Sequence, residues 1–209
     1  MIFSNINIEG DMLVSKSNFV MICISFVALI ILFTFGVTYS YFSPTFINGN
    51  STSNIDLTSG KMIINFTDKN SNIVFSNVIP GPTNSVSDAI LSKSFVVSGT
   101  NTTELKMEYK LNLVVTNNEF DNNDIGYILI GKNNSNGVIV TNAKSSFTSS
   151  GISKISKGTN LKIDLGTGYF TKSSNQINHE YTLYLFFIET NQEQNGVDCN
   201  FNAYLGLSV

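Results

Sequence analysis

Charge is what this 209-residue sequence has least of: Asp, Glu, Lys and Arg together make up 13% of it, about half the ~25% usual in soluble domains. All twelve basic residues are lysines, and arginine is absent. At a net charge of −3, no basic surface is available to grip phosphates, which excludes nucleic acid as a partner. Tryptophan is absent too, and histidine occurs once. A single imidazole rules out a two-His zinc site or a His-based triad within one chain. The two cysteines, Cys23 and Cys199, lie in an apolar N-terminal run and at the start of the last strand-like run, so they do not pair within one folded chain.

Neutral polar residues stand where charge is missing, and Asn alone accounts for 28 positions. A 42% share of hydrophobic residues excludes a disordered chain. The length leaves room for a short accessory segment plus one domain of about 150 to 170 residues, large enough to bury a core without disulfides or a metal. Low charge also weakens repulsion between copies of the chain.

Residues 19–37 read FVMICISFVALIILFTFGV, without one charge. A helix of that length spans roughly 28 Å, about the hydrocarbon thickness of a bilayer. The segment has no polar face, so a membrane-directed helix is expected. Lys16 precedes it and the next lysine is Lys61, which keeps residues 1–18 cytoplasmic and sends the rest across. Glu9 and Asp11 sit where a signal carries positive charge. A start at Met12 gives a proper n-region and is the expected start. The run's length favours a retained anchor, whereas Thr38 and Ser40 place small residues at −3 and −1 of a signal-peptidase cut before Tyr41. Both outcomes stay open.

Beyond Ser40, short strand-like runs alternate with Asn, Ser, Gly and Thr clusters. Residues 105–115 alternate apolar Leu105, Met107, Tyr109, Leu111, Leu113 and Val115 with Lys106, Glu108, Lys110 and Asn112. That period of two puts one face in a core and one in water. Residues 200–209 repeat it with Phe201, Ala203, Leu205, Leu207 and Val209 inward. Further strands are expected at 61–67, 72–78, 90–98, 125–130, 137–141, 161–165 and 180–189. The run 181–189 is apolar on both faces, as in a central strand covered on both sides. Asn136-Gly137 is a hairpin signal between two such runs. The pattern reads as an all-β, Ig-like or jelly-roll-type antiparallel sandwich over 53–209, preceded by a stalk or linking strand at 38–52. In this register Cys199 points inward as an inert small side chain; the functional reading of it is an intermolecular disulfide.

No catalytic motif emerges, and the sequence reads as that of a protein that is not an enzyme and needs no cofactor or metal. Glu180 follows His179, but no second His stands four residues on, so the helical zinc-protease motif is absent. A strand-edge or hydrogen-bonded structural role is expected for His179. Asp121, Asn123 and Gly126 fall at positions one, three and six of a calcium loop, yet Ile125 and Lys132 at five and twelve break the pattern. A solvated Asx-rich turn is expected there. Gly166-Thr167-Gly168-Tyr169 lacks the Lys and helix start of a phosphate loop. Tyr41, Phe42 and Tyr169 are exposed-aromatic candidates for glycan contact, or fill sandwich edges.

Three pieces together resemble a known family. Gly36-Val37-Thr38-Tyr39-Ser40-Tyr41-Phe42 is similar to the processing site of the exported β-sandwich proteins of Gram-positive bacteria related to TasA and camelysin. Asn54 to Gly60, followed by Phe75-Ser76-Asn77-Val78-Ile79-Pro80-Gly81, resembles their first strand and Pro-Gly turn. His179 to Leu183 with Phe201 to Val209 resembles their closing strands. Ser40 stands where Ala is commoner, and 117–178 has no counterpart in the match. The resemblance implies an exported cell-surface structural protein, of biofilm-matrix or fibre type, processed by a dedicated signal peptidase and self-associating by strand exchange. The final strand, or 41–52, would complete a neighbour's sheet edge. The alternative is a membrane-tethered module that binds a glycan or protein ligand.

Overall fold

A computed structural model describes residues 21–30, 46–48, 51–57, 60–67, 72–121, 124–132, 136–188 and 196–209. The chain divides into two compact units, Met1–Pro44 and Thr45–Val209.

In the first unit, residues 21–30 are helical and every one of them is exposed. Ten residues make about 15 Å of helix, half a bilayer core. No helix among the described residues is long and apolar enough to cross a membrane. The rest of the expected 19–37 span, and Thr38, Ser40 and Tyr41, lie outside the described residues.

The second unit contains twelve described strands: β1 (Phe46–Asn48), β2 (Ser51–Leu57), β3 (Gly60–Thr67), β4 (Asn72–Val78), β5 (Leu91–Asn101), β6 (Met107–Asn118), β7 (Ile125–Lys132), β8 (Gly137–Val138), β9 (Ser153–Ile155), β10 (Gly158–Phe170), β11 (Ser173–Phe187) and β12 (Gly196–Ser208). They pair antiparallel into two six-stranded sheets. The first runs β1-β12-β6-β10-β8, with β4 also on β12; the second runs β2-β3-β5-β11-β7-β9. β4 pairs with Gly196 to Tyr204 and β1 with Gly206 to Ser208, so the two lie end to end along the edge of β12 opposite β6.

Alternation explains the core. Met107, Tyr109, Leu111, Leu113 and Val115 of β6, with Phe201, Ala203, Leu205 and Leu207 of β12, are buried. They join Phe95 and Val97 of β5 and Tyr181, Leu183, Leu185 and Phe187 of β11 in one cluster shared by both sheets. Each buried Val, Leu, Phe or Met side chain among them contributes about 1.5–3 kcal/mol. Phe75 stacks on Phe201 with ring centroids 4.7 Å apart, and Phe120 meets Phe187 edge-on at 5.1 Å.

β11 occupies the centre of its sheet, paired with β5 and β7, as its two-sided apolarity predicts. Its outer face is covered as well. Phe186 and Ile128 are buried outside the main cluster, and Phe147 lies 5.7 Å from the Phe186 ring. The segment 147–152 therefore folds over the outside of β7 and β11. Ser149 Oγ ties it down by donating to Thr83 O at 2.7 Å.

Four expectations change. Leu105 is exposed and precedes the strand, because Asn101 and Thr103 bind its backbone in a tight turn. Asn136-Gly137 makes no β7–β8 hairpin: β8 pairs with β10 in the other sheet. Residues 46–48 and 51–52, for which a stalk or a linking strand is expected, are strand and, with 53–57, form the edge strands β1 and β2. The final strand is not free, because β12 is paired along both its edges.

Candidate functional site

Period-two geometry puts His179 and Tyr181 on the same face of β11, and this face looks into the core. Tyr109 reaches the same place from β6 in the other sheet. Its Oη lies 2.5 Å from His179 Nδ1 and 2.5 Å from Tyr181 Oη. Tyr181 Oη also accepts the Val140 N–H at 3.0 Å. All three side chains are buried, His179 completely. Four groups from three segments thus form one buried chain of hydrogen bonds across the two sheets.

Only one polarity uses every hydroxyl hydrogen. Val140 N–H donates to Tyr181, Tyr181 O–H to Tyr109, and Tyr109 O–H to a bare Nδ1 of His179. The imidazole proton then sits on Nε2, which has no hydrogen-bond partner among the described residues. Phe170 stacks on the ring with centroids 4.3 Å apart. Two glycines make the room. A Cβ on Gly168 would lie 2.7 Å from Tyr109 Oη, and one on Gly137 would lie 3.0 Å from His179 Nε2.

Burial sets the electrostatics. It holds the His179 imidazole down to about 4, since a cation there loses its hydration without gaining an anion. The same burial, reinforced by Tyr181, drives the Tyr109 phenol upward. Tyr181 is pushed up to about 12 by burial, against the lowering effect of its bonds with Tyr109 and Val140. At neutral pH the whole chain is uncharged. As arranged, these groups tie the two sheets together and offer a proton-binding site at His179.

The acidic loop is a strand clamp. Glu119 accepts from Asn117 Nδ2 at 3.0 Å, from the Asn200 N–H at 2.8 Å and from Asn200 Nδ2 at 2.9 Å. The Asn117 bond and then the Asn200 bonds hold this carboxyl below its usual range. It joins the end of β6 to the start of β12. Asp121 pairs with Lys157 at 3.0 Å, while Asn122 and Asn123 lie outside the described residues. Among the described residues no group of three or more His, Cys, Asp and Glu side chains is placed to hold a metal. Cys199 is half-buried against the core, with Sγ 3.9 Å from Glu119 O.

Tyr169 lies on the outer face with Lys106 Nζ 4.4 Å above its ring, and Gly166 to Tyr169 belong to β10, which bulges between Asp164 and Gly166 with Gly166 at φ +101°; Tyr41 and Phe42 lie outside the described residues. A recess of about 320 Å³ opens where β4 meets β12, lined by Asn72, Val74, Thr116, Asn202, Ala203 and Tyr204. The sequence reading placed Tyr109 inward and gave His179 a structural bond, but did not join them. The available signal was two polar-tipped rings at inward positions of two core strands, each needing a partner.

Fold and site together define an antiparallel two-sheet β protein with a neutral polar tie at its centre. Comparison with protein-family models and with curated proteins finds no match.

Proposed function

We propose that this chain is an exported cell-surface structural protein: an apolar N-terminal segment directed to the membrane, then an Ig-like or jelly-roll-type sandwich outside the cell that assembles with its own copies. The observation that carries this reading is the placement of 46–57. Within twelve residues the chain supplies β1 at an edge of one sheet and β2 at an edge of the other. β1 is held by a three-residue ladder, and few bonds must break for such a segment to move to a neighbour's edge. β12 is paired on both sides, so this segment rather than the C-terminus is the exchanging piece. The charge-poor surface lowers the repulsion that copies must overcome.

The exposed, wholly uncharged helix at 21–30 supports the membrane-directed part, because a helix apolar all round seeks lipid or a core. The sandwich then stays at the cell membrane, or is released by a dedicated signal peptidase cutting between Ser40 and Tyr41. Mass spectrometry of the mature N-terminus separates the two.

The test of assembly is the concentration dependence of mass and fibre formation in the purified chain, with and without residues 45–57. Concentration-dependent oligomers that vanish on deletion are expected. A monomer at millimolar concentration overturns the reading. A second reading, a tethered module for a glycan, is favoured by the recess beside Tyr204, where an aromatic ring stands among Asn and Thr side chains. Glycan-array binding lost in Tyr204→Ala would select it.

A further inference from the structure

The segment from Gly137 to Thr141 is held by few backbone hydrogen bonds, with the Val140 side chain its main anchor in the core. Its ladder with β10 is two residues long, Thr141 N–H donates to Thr167 O at 3.2 Å, and Asn136 O accepts from Thr171 N–H at 3.1 Å. Its link to the buried polar chain is the Val140 N–H bond to Tyr181 Oη. Directly behind it lies His179, whose Nε2 faces Gly137 with no polar partner among the described residues.

We propose that His179, Tyr109 and Tyr181 form an acid-released clasp: protonating His179 unseats residues 137–141 from the sheet edge while the two sheets stay packed. The chemistry follows from the hydrogen count. A proton arriving at Nδ1 turns that atom from acceptor to donor, so Nδ1–H now points at Tyr109 Oη. Whichever way the two phenols then turn, one hydroxyl hydrogen, on Tyr109 or on Tyr181, is left without an acceptor in the chain that ends at Val140. The imidazolium meanwhile has no counter-ion. Tyr109 from β6 and Tyr181 from β11 are the titratable groups that face it; β5 presents Val97, β10 presents Phe170 and β8 presents Gly137. Glu180 and Lys132 sit at positions of β11 and β7 that point to the opposite face. Nε2 lies against Gly137, so hydrating the cation lifts that backbone, and lifting it draws Val140 away from Tyr181. Hydration of the cation and release of the segment are therefore one event. β6 and β11 keep long ladders on both sides and are not unseated.

His179 is the only histidine, so one imidazole nitrogen signal reports the proton without mutation. The full chain in detergent micelles is titrated by nitrogen-detected NMR, and amide hydrogen exchange is followed in parallel. Expected is a midpoint near 4 rather than 6.5. Protection of the Val140 and Thr141 amides, corrected for intrinsic rates, should fall on the order of a hundredfold between pH ~6.5 and pH ~4. Leu113 and Leu183 should keep theirs. His179→Gln should remove the pH dependence at Val140, and Tyr181→Phe should leave Val140 poorly protected at every pH. An ordinary midpoint, unchanged Val140 protection, or a loss spread evenly over all strands each overturns the clasp. These readouts need no assembly, so they stand or fall apart from the proposed function.

Discussion

Tyr109 of one sheet and Tyr181 of the other share a hydroxyl–hydroxyl hydrogen bond of 2.5 Å in the middle of the core. Neither ring can be replaced by an apolar one without stranding its neighbour. In Tyr109→Phe, His179 Nδ1 and the Tyr181 hydroxyl both lose their partner, at a cost of about 1–3 kcal/mol for each buried group. Urea denaturation reads this directly. Tyr109→Phe/Tyr181→Phe should be less destabilised than the sum of the single changes, because the second removes a group the first had orphaned.

Acid should weaken the fold through His179, with a definite sign. The folded imidazole titrates at about 4, below the ordinary 6.5. Above pH ~6.5 it is neutral in both folded and unfolded chains, and stability is complete. As pH falls from ~6.5 to ~4 the unfolded chain binds the proton first, and stability drops by up to about 1.4 kcal/mol per unit. Thermal melts across this window should show the slope, and His179→Gln should flatten it. An unchanged slope in that variant would assign the acid sensitivity to carboxylates instead.

Gly168→Ala should destabilise by about 1–3 kcal/mol through overpacking. The added methyl would lie 2.7 Å from the Tyr109 ring carbon that bears the hydroxyl and 2.9 Å from Val138 O. Either the short β8 shifts or Tyr109 tilts off His179, and both disturb the buried polar chain. Near-ultraviolet circular dichroism, which senses tyrosine packing, should change together with the melting temperature.

Phe186→Ala should cost about 3–5 kcal/mol although it lies outside the main core. Phe186 is completely buried on the outer side of β11, beneath Phe147. Phe147→Ala should cost less, since that ring is only half-buried. Proteolysis within 147–152 should speed up in both variants, and equal resistance to wild type would show that the segment is held by other means.

The surface ion pair of Lys110 and Asp164, at 2.6 Å with both side chains about half-exposed, should matter little. Its hydrogen bond to Lys110 is the main cause holding the Asp164 carboxyl below its usual range. Solvent and salt screen such a pair, so Lys110→Ala should change stability by less than about 0.5 kcal/mol. A loss several times larger in urea denaturation would contradict this.

Much of the sheet framework was legible in sequence. The alternation through Tyr109, Leu111 and Leu113 and through Phe201 to Leu207 fixes which residues face inward, since a strand's side chains can only alternate. The apolar run 181–189 gave its central position for the same reason. Less was legible where polar residues form strands. β1 and β2 carry Asn, Ser and Thr, and nothing local separates an edge strand of that composition from a stalk. Gly166 to Gly168 fall beyond the strand expected at 161–165, whereas β10 runs on through them and they leave room for neighbouring groups.

The candidate site divides in the same way. Sequence showed one histidine and placed Tyr109 at an inward position. Pairing partners are set by contacts between residues some seventy positions apart, and no local pattern encodes those. Only the stacking of β6 on β11 brings Tyr109 to His179, and only the crossing of residue 137 to the other sheet seals Nε2 behind Gly137. By itself, the sequence determined composition, strand faces and the apolar N-terminal run, because these follow from side-chain chemistry and period. The tertiary structure decided which buried polar groups meet and which strands stand at the edges, because those depend on how the sheets close over one another.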